Sequence, residues 1–327
     1  MRASSSSVAA VIIYSVATSF ASSADDRPVR LGLPGEGSLH VAIPGKGDDV
    51  VYCSRLLQIG VVSLNKGTHS KMVDLNGSAA ACAAFSSDGK YWLSGAGGVV
   101  QIRDPQTGKV QSQFEPQTGD VYSVRTDKSG TRVIVVTWKG VEVHNLKNRS
   151  VECAINYIAT FAAVTSDEKT FLTATDDGVL AKWDVKSSKR IMTTEIKMGK
   201  PEGVTDLALS QDDKTAFVAL RDGRVCVVDT QSMKSRDLVD LATTVSVIKC
   251  SQDGKYIAVG TLSGTLSIID LKTEKVVVKN FKLSAEPASF AFTSDSKQLA
   301  IGLMNESCAL YSLADNRIVW AVTHKPK

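Results

Sequence analysis

Polar turns interrupt the apolar alternation of this chain at nearly regular intervals. Six share one form: Ser86-Ser87-Asp88-Gly89-Lys90, Thr126-Asp127-Lys128-Ser129-Gly130, Thr165-Ser166-Asp167-Glu168-Lys169, Ser210-Gln211-Asp212-Asp213-Lys214, Ser251-Gln252-Asp253-Gly254-Lys255 and Thr293-Ser294-Asp295-Ser296-Lys297. After each turn a run rich in β-branched residues ends at Asp104, Asn145, Asp184, Asp229, Asp270 or Ser312, with steps of 41, 39, 45, 41 and 42 residues. Alternation with β-branched enrichment is the signature of half-buried strands. A repeat of about 41 residues is one supersecondary unit stacked many times, and a four-stranded propeller blade has that period. The pattern predicts an all-β chain: a seven-bladed β-propeller of four-stranded antiparallel blades.

The fifth unit shows how the strands are read. Gly203–Ser210 is the inner strand, Thr215–Leu220 the second, Arg224–Asp229 the third and Arg236–Leu241 the outer one. Between the second and third, Arg221-Asp222-Gly223 forms a tight hairpin in which Asp-Gly supplies the positive φ. Asp176-Asp177-Gly178, Leu262-Ser263-Gly264 and Ala96-Gly97-Gly98 take the same place in the fourth, sixth and second units. The first unit is degenerate: Ser38–Ile43, Val50–Ser54, Gln58–Leu64 and Ser70–Leu75, with Pro44-Gly45-Lys46-Gly47 as its turn. The seventh runs through Ala288–Thr293, Gln298–Leu303, Cys308–Leu313 and Arg317–Thr323. The propeller therefore occupies residues 38–327.

The start of the chain carries a different pattern. Arg2, the apolar stretch from Val8 to Ala17 and the small residues Ser22-Ser23-Ala24 have the layout of a signal peptide over residues 1–24, too short to span a membrane. That reading predicts a secreted or periplasmic protein. The rival reading takes Ser19–Leu31 as part of a blade and keeps the chain in the cytoplasm. Residues 25–37 are a lead-in segment, in which Pro28–Leu33 is a candidate closing strand for the seventh blade's edge.

Composition excludes several classes. The 327 residues are 43% hydrophobic and 22% charged, an ordinary globular balance. The net charge of +4 is spread along the chain, whereas a nucleic-acid binder concentrates basic residues in a stripe. The densest basic run, Lys182–Lys200, reads as a solvated outer strand, so no nucleic-acid partner is expected. No later segment reaches membrane-spanning length. Cys53, Cys82, Cys153, Cys226, Cys250 and Cys308 are dispersed with no CxxC pair, which predicts buried free thiols. His40, His69, His144 and His324 form no metal-ligand pattern, and no cofactor or metal is expected. Asn76, Asn148 and Asn305 head Asn-X-Ser sequons in predicted turns, where export would expose them to glycosylation.

Over about 290 residues the repeat resembles the WD40 and YVTN-type β-propellers. The Trp-Asp dipeptide appears once, as Trp183-Asp184. Elsewhere the tryptophan position holds Arg103, His144, Val228, Ile269 and Tyr311, and the Gly-His pair that opens eukaryotic WD40 repeats is missing. The family's His-Asp-Ser-Trp tetrad is complete in no blade. The resemblance is to degenerate members, stabilised by sheet hydrogen bonds and aliphatic packing. It implies a non-enzymatic platform for a protein partner, expected as a monomer.

The paired acids Asp176-Asp177 and Asp212-Asp213 lie in turns that select Asp for local hydrogen bonding. Gly95-Ala96-Gly97-Gly98 has no helix to receive a phosphate. The loops leading into the inner strands share one face with the second-to-third-strand hairpins. Asp120, Tyr122, Tyr157, Glu202, Asp222 and Thr244 are the candidate partner-binding residues there. The alternatives are a propeller enzyme of the lactonase-like or dehydrogenase-like type, which needs acids or histidines converging from several blades, and an intracellular assembly scaffold if the N-terminus is retained.

Overall fold

A computed structural model describes residues 39–43, 49–54, 58–74, 82–86, 90–96, 98–105, 107–127, 129–167 and 169–323. The leader, the candidate closing strand Pro28–Leu33, the first blade's Pro44–Gly47 turn and His324 fall outside them. All regular structure in the described residues is β-strand, arranged as seven four-stranded antiparallel sheets whose strands follow chain order. Blade 1 spans Leu39–Asp74, blade 2 Cys82–Phe114, blade 3 Val121–Ile155, blade 4 Phe161–Glu195, blade 5 Val204–Asp240, blade 6 Val245–Lys282 and blade 7 Pro287–Thr323. Each begins with its inner strand, and the inner strand of blade 1 packs against that of blade 7 to close the ring. Blade 5 consists of Val204–Leu209, Thr215–Leu220, Arg224–Asp229 and Ser235–Asp240, within a residue or so of the expected bounds at most ends. Its hairpin glycine, Gly223, has φ 98°.

The polar turns between first and second strands are built alike because their side chains are selected for one set of bonds. Ser251 Oγ donates to Asp253 Oδ1 (2.6 Å) and accepts from the Tyr256 N–H (3.0 Å). Ser210 repeats this with Asp212 and Thr215, and Thr293 with Asp295 and Gln298. The second sequence mark is a different cap. Asp104, Asp184, Asp229 and Asp270 each accept from the backbone N–H and the hydroxyl of the residue three positions on. These caps hold the carboxyls of Asp184, Asp229 and Asp270 below the usual range, with Ser187, Ser232 and Thr273 as the leading donors. The acids that recur through the chain are thereby accounted for as turn chemistry.

The core lies at the seams between blades. Blades 4 and 5 share Leu172, Leu180, Leu207, Val218 and Leu220, all 0% exposed. Blades 5 and 6 share Val225, Ile257, Val259 and Ile269, and blades 7 and 1 share Val50, Tyr52, Cys308 and Leu310. Fully burying one such side chain is worth about 1.5–3 kcal/mol, against about 1 kcal/mol for a turn hydrogen bond, so seam packing dominates.

The tryptophan position of the repeat shows how the blades compensate for degeneracy. Trp183 lies opposite Phe171 and donates its Nε1–H to Thr173 Oγ1 at 2.9 Å, tying third strand to second. Arg103 lies equivalently opposite Trp92, and its Nε donates to Ser94 at 3.3 Å. In blade 7 the Tyr311 hydroxyl reaches Asn316 Oδ1 instead, at 2.6 Å. Over the Phe161 ring of blade 4, Arg125 of blade 3 donates to Asp206 Oδ1 and the Leu207 carbonyl of blade 5, both at 2.6 Å. Asp206 also accepts from Ile248 N–H of blade 6 at 2.9 Å, so one buried carboxylate links three blades.

Candidate protein-interaction face

The lead-in segments and the second-to-third-strand hairpins occupy one face. The lead-in segments of blades 5 and 6 are bonded to the hairpin of the preceding blade: Val204 N–H donates to the Asp176 carbonyl (3.2 Å), and Thr244 Oγ1 to the Arg221 carbonyl (2.7 Å). The candidates fall into two groups. Glu202 and Thr244 gather at the blade 5 hairpin around Arg221, which pairs with Asp176 at 3.2 Å and reaches the Glu202 carbonyl at 3.4 Å. Asp222 belongs to the same hairpin, but its side chain is 6% exposed. It accepts from Gly199 N–H (2.6 Å), Arg224 N–H (3.1 Å) and the Arg224 guanidinium (2.7 Å). Burial alone would raise its carboxyl; the Arg224 and Gly199 bonds outweigh that and hold it low.

Asp120, Tyr122 and Tyr157 lie at blades 3 and 4. Exposed Asp120 accepts the Trp138 backbone N–H through its carbonyl, at 3.2 Å. Tyr122 sits at the register shift opening the inner strand of blade 3. The Tyr157 ring stands 5.0 Å from Trp183 and packs on the blade 3–4 core, and burial pushes its hydroxyl pKa up. That core includes Val136 and Val141, which flank the Trp138 hairpin, and Ala159, next to Ile158.

Sequence reasoning missed Trp138 and Ile158. They are 40% and 63% exposed, and every other large hydrophobic side chain of comparable exposure among the described residues lies on an outer strand. Trp138 is rigidly placed. A Cβ on Gly119 would lie 2.1 Å from Trp138 Nε1, so the ring rests against glycine backbone, with the Lys139 ammonium 4.3 Å from its centroid. Beneath the hairpin lies a buried polar network. Glu142 accepts from Thr118 N–H (2.7 Å), Thr118 Oγ1 (2.8 Å) and His144 Nε2 (2.8 Å), and Thr137 bridges Thr118 to Gly140. Burial would raise the Glu142 carboxyl, but the His144 and Thr118 bonds hold it below the usual range. The available signal was Trp138-Lys139-Gly140 itself: an indole where the hairpins of blades 2, 4, 5 and 6 place Ala96, Asp176, Arg221 and Leu262. Glu286, leading into blade 7, is half-buried and its carboxyl is pushed up by burial. Among the described residues no three His, Cys, Asp or Glu side chains converge as metal ligands.

Seven repeated blades, the serine–aspartate turns and the Trp183–Thr173 bond define a WD40-like β-propeller repeat protein. Comparison with known proteins agrees: the chain is 26% identical over 180 residues to the WD repeat-containing protein SL1-17 of Schistosoma mansoni, covering 54% of each. It is 24% identical over 238 residues to the transcription factor unc-37 of Caenorhabditis elegans, covering 72% of this chain and 34% of that protein. It is 24% identical over 225 residues to the ciliary WD repeat-containing protein ctxp80 of Euplotoides octocarinatus, covering 60% of this chain and 30% of that one. The chain thus spans about half the length of the first relative and about a third of the other two. No family model matches it.

Proposed function

We propose that the chain is a non-enzymatic platform that binds a protein partner on the lead-in face over blades 3 and 4. The observation that carries this is the exposure of Trp138 and Ile158 away from the outer strands. A fixed, half-exposed indole is the type of side chain that anchors interfaces, because it buries a large area at little conformational cost. Polar Asp120 and the Lys139 ammonium rim it, as the edge of an interface requires. WD repeat relatives support a binding role over catalysis. The direct test compares pull-downs from native extract by the parent and by Trp138→Ala/Ile158→Asp, with melting temperatures measured in parallel. Loss of the parent's specific partner at unchanged stability is the expected result. An identical partner set bound by both proteins would move the interface elsewhere.

A further inference from the structure

The opposite face carries the serine–aspartate turns, and in blades 5 and 7 their fourth position closes the seam to the preceding blade. In blade 5 that residue is Asp213, whose carboxylate accepts from the Ser166 N–H of blade 4 at 2.6 Å and bonds the Ser166 hydroxyl. In blade 7 it is Ser296, whose hydroxyl accepts from the Asp253 N–H of blade 6 at 3.0 Å. In blade 6 it is Gly254, which has no side chain to send back to blade 5. All three share a left-handed backbone, with φ of 58°, 58° and 70°. The 5–6 seam therefore differs from its two neighbours by the loss of one clasp.

At that seam a cleft of about 460 Å³ opens, within the size range of ligand sites. Phe217, Leu238 and Leu271 form its apolar wall, and Phe217 is 3% exposed at the base. Asp212, Asp253 and Glu274 stand around it. Among the described residues its one lining cation is Arg236, already paired with Glu274 across the outer end. Lys214 and Lys255 approach Asp212 and Asp253 at 3.9 and 3.4 Å, but they are 81% and 70% exposed and do not line the cleft. Such screened pairs are weak and readily exchanged for a better-seated cation. Hydrogen bonds from Ser210 and the Lys214 N–H hold the Asp212 carboxyl below its usual range and keep it ionised.

We propose that the cleft between blades 5 and 6 is a second docking site, for a linear peptide segment that seats an apolar side chain against Phe217, Leu238 and Leu271 and presents a flanking Lys or Arg to Asp212 and Asp253. Three carboxylates against one committed guanidinium give the site its charge preference, and the apolar wall gives it depth. The site lies on the face opposite Trp138 and does not depend on the proposed platform surface.

The test uses the full chain and three synthetic twelve-residue peptides: alternating Leu and Lys, alternating Leu and Glu, and alternating Ser and Lys. Binding is read by fluorescence anisotropy. The Leu/Lys peptide should bind at least tenfold tighter than either control, which separates the apolar and charge requirements. Gly254→Asn should weaken it at least tenfold at unchanged melting temperature, because the neighbouring blades already carry Asp213 and Ser296 in the same conformation. Asp212→Asn retains the turn and removes one charge, so it should cost several-fold in affinity; it also covers the case in which Gly254→Asn fails to fold. Trp138→Ala should bind the peptide as the parent does. Equal binding of the three peptides, or unchanged affinity in folded Gly254→Asn or in Asp212→Asn, would overturn the proposal.

Discussion

The two faces of the propeller solve the same problem in opposite ways. On the turn face every blade must reverse its chain twice, and the same short polar caps do it repeatedly: Ser210 with Asp212, Ser251 with Asp253, Thr293 with Asp295. On the lead-in face each blade is different. Blade 3 uses a buried Glu142 network under an exposed indole, blade 5 a carboxylate clamped by Arg224, and blade 4 an exposed Ile158 in its lead-in. Repetition spreads stability over equivalent bonds, each of minor weight. Irregularity concentrates it in a few residues, and those residues place the side chains a partner would meet.

The largest expected effect lies in the blade 3 network. Glu142→Ala strands His144, the Thr118 hydroxyl and the Thr118 N–H in a buried site, and should cost about 3 kcal/mol by thermal or denaturant unfolding. A cost near that of a surface substitution would erase the contrast between the faces. The network also has a pH signature. The folded-state pKa of Glu142 lies below its unfolded value, so its contribution is fully present above the unfolded carboxylate pKa of about 4.3 and disappears as pH falls through the folded value. The gap in melting temperature between the parent and Glu142→Gln should be widest near neutrality and should shrink on acidification below about pH 4. A gap independent of pH would mean that the carboxylate charge is not what stabilises the network.

Gly119→Ala comes next. The added Cβ would collide with the Trp138 indole, and the backbone there has φ 109°. A cost of about 1–3 kcal/mol is expected. Tryptophan fluorescence should shift as the displaced ring becomes more solvated; unchanged emission together with unchanged stability would show that the ring is not seated there. The smallest effect is on the turn face. Ser251→Ala removes one hydroxyl from one of several equivalent turns and should cost about 1 kcal/mol. Ser210→Ala should cost about the same, and the two should add, because the bonds described for each hydroxyl stay within its own turn. Strong non-additivity would show that the turns are coupled through the 5–6 seam.

The sequence disclosed these faces unequally, for a physical reason. The turn caps use residue types fixed by local bonding at fixed spacing, so the polar turns and the Asp104 to Ser312 series are enough to locate blades 2 through 7. Blade 1 carries no such mark, yet its alternation sufficed, with strands at Leu39–Ala42, Asp49–Ser54, Gln58–Ser63 and His69–Asp74. The tryptophan position read as degenerate, and in Arg103 it proved to hold a different donor to the same kind of hydroxyl acceptor. The lead-in face resisted because exposure is a tertiary property. Asp120, Tyr122 and Tyr157 were visible as polar or aromatic residues in loops. Whether Trp138 stands out of its hairpin or folds under it depends on Gly119, nineteen residues before it in sequence but against its ring in space.

The closure of the ring has a mechanical side. Each described blade is built from consecutive strands, so a covalent linker crosses every seam but the one between blades 7 and 1. There the described contacts are Val41 N–H to Ser289 Oγ (2.9 Å), Trp320 Nε1–H to the Leu64 carbonyl (2.8 Å) and a shared apolar cluster. No strand among those described belongs to both blades, so parting them would break no β-ladder among the described residues. Under tension, or in the rare openings sampled by hydrogen exchange, the described ring is expected to act as a clasped bracelet whose catch is the Trp320 indole resting on the Gly67 turn, with the blades beside that catch the first to part.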